Sequence, residues 1–254
     1  TMEINGAQAI IDSLIEEGVD TIFGYPGGGI MPFYDELYKN GDKINHILVR
    51  HEQAAVHAAE GYARSSGKVG VCVATAGPGA TNLVTGIADA MMDSTPIVCI
   101  TAQVQKEGLG ASSFQEADII SITLPITKWN YEVTSADEIA PSLAKAFRIA
   151  QSGRPGPVVV SITKNAQTEL TDFVYNKESY SAPVPSSENL ETAAQWINAS
   201  RKPLVIAGHG VTLAGAEEAL SAFVTKAGLP VATTMMGLSC VSSDHPNYVG
   251  CVGM

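Results

Sequence analysis

Short runs that are apolar throughout alternate along this chain with longer stretches whose apolar residues recur every three or four positions. Over residues 5–17, Ala9, Ile10, Leu14 and Ile15 follow helical spacing, with Asn5 placed to cap the helix and Gly18 to end it. Residues 21–23 predict a brief buried strand. It runs into Gly24-Tyr-Pro-Gly-Gly-Gly29, too rich in glycine and proline for regular structure, and a second helical pattern follows through Tyr38. Residues 44–49 predict the next strand and 52–66 its helix, in which Ala54, Ala55, Ala58, Ala59 and Ala63 permit close approach to a neighbouring backbone. Residues 69–75 and 96–101 read as strands buried on both faces, with a helix after Gly77-Pro-Gly-Ala-Thr-Asn82 between them. Regularity lapses over 102–113, a stretch expected to be a surface loop. Phe114-Gln-Glu-Ala-Asp118 is expected to begin a short helix, 128–133 to form a strand, Ser135 to cap a helix ending near Gln151, and 158–163 to form a sixth strand.

Strands that alternate with helices and are apolar on both faces imply a mainly parallel sheet flanked by helices. The fold class is therefore α/β, with residues 1–165 as one domain. Residues 166–187 lose periodicity and read as a linker, and 188–254 as the first part of a second α/β domain: a helix at 189–199, a strand at 203–208, a tight turn at Gly208-His-Gly210, a helix at 215–227 and a strand at 230–234. So short a second domain is expected to be incomplete, and the chain to be an amino-terminal piece of a longer protein.

Composition narrows the function class. With 45% hydrophobic and 16% charged residues the chain is globular, and a net charge of −11 repels the phosphates of nucleic acid and of anionic membranes. No apolar run approaches the roughly 18 residues of a membrane helix. Cys72, Cys99, Cys240 and Cys251 lack the spacing of a zinc or redox motif, so reduced thiols in a cytoplasmic protein are expected.

Three glycine-bearing turns lie at predicted strand ends: residues 24–29, 77–82 and 208–210. Glycine there lets backbone approach a ligand and leaves helix N–H groups facing it. Residues 77–82 miss the dinucleotide fingerprint, because Asn82 replaces its third glycine and the next strand ends without the expected acid. His46, His51, His57, His209 and His245 form no helical ligand pair with acids on this reading, so no metal site is expected, and no nucleophile elbow is present. What stands out is Glu52, where an apolar strand turns into an alanine-rich helix. A carboxylate there serves either as an ordinary helix-start residue favoured by the dipole or as a proton partner for a planar cofactor.

Phe23-Gly-Tyr-Pro-Gly-Gly28, Arg50-His-Glu-Gln53, Ala76-Gly-Pro-Gly-Ala-Thr-Asn82, Phe114-Gln-Glu-Ala-Asp118, Ile126-Thr-Lys-Trp-Asn130, Arg154-Pro-Gly-Pro157 and Thr233-Thr-Met-Met-Gly-Leu238 resemble, in that order, acetolactate synthase catalytic subunits, which are thiamine-diphosphate-dependent enzymes. The resemblance spans nearly the whole chain. It implies a pyrimidine-binding domain followed by a flavin-binding middle domain, and condensation of pyruvate with pyruvate or 2-ketobutyrate in branched-chain amino-acid synthesis. It gives Glu52 the ring nitrogen N1′ of the cofactor's aminopyrimidine, in a poorly solvated site, and sets Gln115 at the reacting centre with Phe114 beside it. Tyr25, Pro26 and Gly27 would line the cofactor pocket, with Pro78 and Asn82 near the pyrimidine. Arg154, Gly210, Thr234, Met235, Gly253 and Met254 match positions that contact FAD, and Lys128 and Lys164 fall where the substrate channel runs.

The family's Gly-Asp-Gly motif, which with a downstream asparagine holds Mg2+ and the diphosphate, is missing: Gly41-Asp42 is followed by Lys43. The Mg2+ ligands are therefore expected outside this chain, and the chain to be inactive alone. The resemblance further implies a homodimer or tetramer through the pyrimidine-binding domain and a small regulatory subunit. Other readings are a different thiamine-diphosphate enzyme, such as an oxalyl-CoA decarboxylase or a glyoxylate carboligase, or a non-catalytic dimerising piece. Glu52 argues against the carboligase, which characteristically lacks that glutamate.

Overall fold

The computed structural model describes residues 3–253. In chain order its elements are β1 (Glu3–Asn5), α1 (Gly6–Glu16), β2 (Thr21–Gly24), α2 (Met31–Lys39), β3 (Asn45–Leu48), α3 (Glu52–Ser66), β4 (Gly70–Ala74), α4 (Pro78–Thr81), α5 (Val84–Asp93), β5 (Ile97–Gln103), α6 (Ile119–Thr123), β6 (Trp129–Val133), α7 (Ile139–Gln151), β7 (Pro157–Thr163), α8 (Lys164–Thr168), β8 (Leu170–Asp172), α9 (Ser187–Ala199), β9 (Val205–Ala207), α10 (His209–Leu213), α11 (Glu217–Ala227), β10 (Val231–Thr233) and β11 (Tyr248–Cys251). They form two units that divide between Ala182 and Pro183.

In the first unit six strands lie in the order β3-β2-β4-β5-β7-β6, every neighbouring pair parallel. The apolar runs are continuous because both faces are covered. Val71, Val73, Val98 and Ile100 pack with Ile10 and Leu14 of α1, Phe33 of α2 and Phe147 of α7, whereas Cys72, Ala74, Ile97 and Cys99 pack with Ala55, Val56 and Ala59 of α3 and Ile87 of α5. Each fully buried Ile, Leu or Phe contributes roughly 1.5–3 kcal/mol, so these two clusters dominate the unit's stability. The alanine stripe of α3 works as expected on its inner side, where Ala55, Ala59 and Ala63 are buried. A Cβ on Gly70 of β4 would lie 2.1 Å from the Ala59 carbonyl oxygen, so only glycine allows this helix so near the sheet.

The strand order creates a crevice. From β2 the chain crosses to β3 on one side, and from β3 it returns to β4 on the other, so the loops after β2 and β4 diverge at neighbouring carboxyl ends. Open α/β sheets bind ligands at such a switch point.

Several expected elements take another form. Residues 114–117 are not helical; the Asp118 carboxylate accepts from the Ser121 N–H at 3.0 Å and caps α6 one turn later. Ser135 makes no capping hydrogen bond, and a single 3-10 turn, Ala136–Glu138, precedes α7. From Lys164 the chain forms α8 and then β8, which pairs antiparallel with β1.

The second unit is a three-stranded parallel sheet, β11-β10-β9, packed on a small core with Val224 of α11 and with Cys240. The expected tight turn at Gly208-His-Gly210 opens the short helix α10, and β11 lies in a stretch with no strand pattern. Among the described residues no helix is long and apolar enough to cross a membrane.

Candidate active site

Glu52 is the first residue of α3. His51 before it is extended, and its Nδ1 accepts the Gln53 N–H at 3.1 Å, which caps the helix and turns the Glu52 side chain inward. The carboxylate is 7% exposed. A buried carboxylate needs donors, and the Asn82 side-chain amide donates to Glu52 Oε2 at 2.9 Å. Asn82 can reach because it closes the single turn α4 at the next strand end across the crevice. The other oxygen, Oε1, faces Gly79, where a Cβ would lie 3.1 Å from it.

Thr75, which immediately follows β4, organises the floor of the crevice. Its Oγ1 accepts the Gly29 N–H at 3.1 Å. Cβ atoms on Gly27 and Gly79 would lie 2.5 Å and 2.7 Å from Thr75 carbon atoms. Gln167 of α8, fully buried, donates to the Gly29 carbonyl at 3.0 Å and fixes the same loop from the far side. The sequence reading missed both residues. Thr75 carried a signal, a polar residue closing an apolar strand; Gln167 carried none, being 138 positions from its partner.

Gln115 lies in the loop after β5 with φ at +62°, a conformation a non-glycine residue rarely adopts and one that marks functional segments. Its backbone rests on Gly77, itself at φ +63°, where a Cβ would lie 2.4 Å from the Gln115 oxygen. The loop is held by Gln103, whose amide donates to the Ala117 carbonyl at 2.9 Å and to Glu132 at 3.2 Å. Burial pushes the Glu132 carboxyl upward. Gly29, Ala76, Val104, Phe114, Gln115 and Lys164 face a cleft of about 580 Å³. Phe114 is 88% exposed.

Tyr25, Pro26 and Gly27 follow β2 directly, with Tyr25 and Pro26 exposed, and Pro78 opens α4. Crevice, carboxylate and loop are thus brought together. Behind them the Tyr34 hydroxyl meets His46 Nε2 at 3.2 Å; burial raises the tyrosine's pKa and lowers the histidine's.

Arg154 is not part of this group. It precedes β7 at the amino edge of the sheet, the edge opposite Glu52, where it donates to Ser94 Oγ at 2.6 Å and to the Met92 carbonyl at 2.8 Å and so caps α5. Lys128 is likewise engaged at a helix end, donating to the carbonyls of Ile149 and Ser152. In the second unit, Gly210 lies after β9, Thr234 and Met235 after β10, and Gly253 after β11, all beyond the carboxyl ends of parallel strands. The Thr234 N–H donates to the Ala207 carbonyl at 2.9 Å, and Gly237 admits no Cβ, which would lie 2.5 Å from that same oxygen. Met254 lies outside the described residues.

The reading that no histidine pairs with an acid on a helix is corrected. His57 and Glu60 do form a helical pair, with His57 Nδ1 at 2.7 Å from Glu60 Oε2, and Asp89 of α5 joins them. The i,i+3 spacing was legible, but Asp89 reaches the pair only through helix packing.

The chain matches two family models: the N-terminal TPP-binding domain of thiamine pyrophosphate enzymes over residues 4–122, and their central domain over residues 190–254. It is similar to the acetolactate synthase large subunit of Corynebacterium glutamicum, 49% identical over 99% of this chain and 41% of the relative. It is also similar to the large subunit of acetolactate synthase isozyme 2 of Escherichia coli, 46% identical over 99% of the chain and 46% of the relative. A probable acetolactate synthase large subunit of Methanocaldococcus jannaschii is 45% identical over 99% of the chain and 44% of the relative. The chain thus spans less than half the length of these relatives.

Proposed function

The chain belongs to the thiamine pyrophosphate enzymes, and from that premise we propose that it carries the pyrimidine-activating part of an acetolactate synthase. The observation that supports this most is the pairing of Glu52 with Asn82 across the crevice: one carboxylate oxygen accepts the Asn82 amide, and the other lies against Gly79, where no side chain covers it. That arrangement fits an aminopyrimidine, which is flat and needs a buried acid at one ring nitrogen. When bound, thiamine diphosphate supplies the carbon nucleophile and electron sink for decarboxylating one 2-keto acid and joining its remainder to a second.

This chain's part follows from its own residues. Asn82 fixes the rotamer of Glu52, so that Oε1 can hold and return a proton at the ring nitrogen without reorganising. Gly27 and Gly79 let their loops close on Thr75 without a side chain, which at Gly79 would crowd Oε1, and the buried Ala74 and Ala76 exclude water from the carboxylate's surroundings. The strained Gln115 sets an amide at the mouth of the cleft, and Lys164 there supplies a positive charge suited to a keto-acid carboxylate.

The remaining assignments are part of the same proposal. Mg2+ and the diphosphate would be held in the length of the relatives that this chain does not cover. FAD would be taken by the strand-end loops that carry Gly210, Thr234, Met235 and Gly253 of the second unit; the flavin contact that the resemblance gives Arg154 is proposed separately. The assembly is a cytoplasmic homodimer or tetramer with a small regulatory subunit; the apolar Leu48, 62% exposed on edge strand β3, supports a face covered by another copy. Nucleic acid and membrane are not partners. The test is acetolactate formation from pyruvate by the full-length gene product and by its Glu52→Gln variant. Turnover that depends on Glu52 is expected, and unchanged turnover would remove the proposed role.

A further inference from the structure

We propose that His57, Glu60 and Asp89 form a binding site for one borderline divalent cation of the Zn2+ type, bridging α3 and α5. His57 Nδ1 lies 2.7 Å from Glu60 Oε2 and 4.0 Å from Asp89 Oδ2, and the ligand atoms of all three residues fall within 4.8 Å of one another. Ligand atoms around a tetrahedral Zn2+ with bonds near 2.1 Å stand about 3.4 Å apart. The His57–Glu60 pair must therefore open by about 0.7 Å and the His57–Asp89 pair close by about 0.6 Å. The side chains free to make that change are the two at the surface, His57 at 40% and Asp89 at 51% exposed, while Glu60 is held inside.

A second observation points to a ligand. Glu60 is 3% exposed, and its Oε1 has no hydrogen-bond partner among the described residues. A buried carboxylate oxygen without a donor is costly. The nearest cation, Arg64, does not satisfy it: its Nη2 stands 4.0 Å from Oε1 and donates instead to Asp93 at 2.6 Å. Glu60, Asp89 and Asp93 set three carboxylates against this one guanidinium. One imidazole with two carboxylates is the donor set of borderline first-row ions rather than of an ion demanding six oxygens. The open side at His57 and Asp89 leaves a coordination position for water and a path for entry.

The helix packing fixes the two backbones that carry these side chains. Gly86 of α5 sits against Val56, where a Cβ would lie 2.3 Å from the valine side chain, so the ridge carrying Asp89 is pressed onto the ridge carrying His57 and Glu60. The site lies about 8–12 Å along α3 from Glu52, and an ion there would clamp the helix whose first residue is that carboxylate.

The experiment is calorimetric titration of ZnCl2 into the 254-residue chain after chelator treatment, for the wild type and for His57→Ala and Asp89→Asn. Both substitutions are at exposed side chains, and circular dichroism checks that each variant is folded. Saturable binding of one equivalent, weakened at least about tenfold in both variants, is expected. Absence of saturable binding to the wild type, or wild-type affinity in the folded variants, would overturn the proposal.

Discussion

The Asn82 amide donates to Glu52 Oε2 at 2.9 Å, tying the loop after β4 to the helix after β3. Thirty residues separate the two in sequence, yet they meet because β2 lies between their strands and the crevice opens above it. Asn82→Ala should leave the buried carboxylate short of its donor and lower the unfolding free energy by about 1–3 kcal/mol. Urea denaturation of the chain checks this, and an unchanged midpoint would show that the bond contributes nothing. Glu52→Gln retains an acceptor for Asn82 and should cost less than Asn82→Ala.

Gly79→Ala puts a methyl 2.7 Å from Thr75 Cγ2 and 3.1 Å from Glu52 Oε1. Overpacking of this kind costs about 1–3 kcal/mol. Adding Thr75→Ser removes the clashing methyl, so the double variant should recover most of the stability in a denaturation series. It should not recover affinity for thiamine diphosphate in the full-length protein, because the contact with Oε1 persists.

Gly77→Ala should loosen the loop that carries Gln115. The position needs φ at +63°, and a Cβ would lie 2.4 Å from the Gln115 carbonyl oxygen, so the loop must lift. Limited proteolysis is expected to cut the variant between residues 104 and 118 faster than the wild type. Equal rates would mean that Gly77 does not seat the loop.

Asp20 gives a pH signature. Hydrogen bonds from Lys68 and from the Tyr62 hydroxyl hold its carboxyl at about 2, below the ordinary 3.8. A carboxyl depressed in the folded state contributes stability above its unfolded pKa and loses it as pH falls through the folded one. The contribution should therefore disappear between about pH 4 and pH 2, and Asp20→Asn should flatten that part of the stability profile at low salt. The pair is on the surface, so the effect is small and screened.

The parallel sheet was legible because strands covered on both faces must be apolar at every position, as in residues 71–74 and 158–160. Glu52 was legible as a candidate because a short apolar run, residues 47–49, gives way to an alanine-rich helical pattern at that carboxylate. Features that depend on distant partners were not. β1 and β8 are three residues each and exist by pairing across 165 positions. Residues 114–118 mix apolar and acidic residues as a helix start does, but Glu116 turns back to accept the Ser113 N–H at 2.9 Å and closes a loop instead. The helix end that Arg154 caps, through Ser94 and the Met92 carbonyl, was not legible either, because it lies 60 positions away in sequence.

The most direct test of the central claim is exchange of the thiazolium C2 proton for deuterium in thiamine diphosphate bound to the full-length gene product, followed by quenched-flow proton NMR. If Glu52 holds the proton at the pyrimidine nitrogen, Glu52→Gln should slow exchange by about 10²–10⁴-fold while the cofactor remains bound. Exchange at the wild-type rate in a cofactor-loaded Glu52→Gln variant would contradict the account, and leave Glu52 as an ordinary helix-start residue.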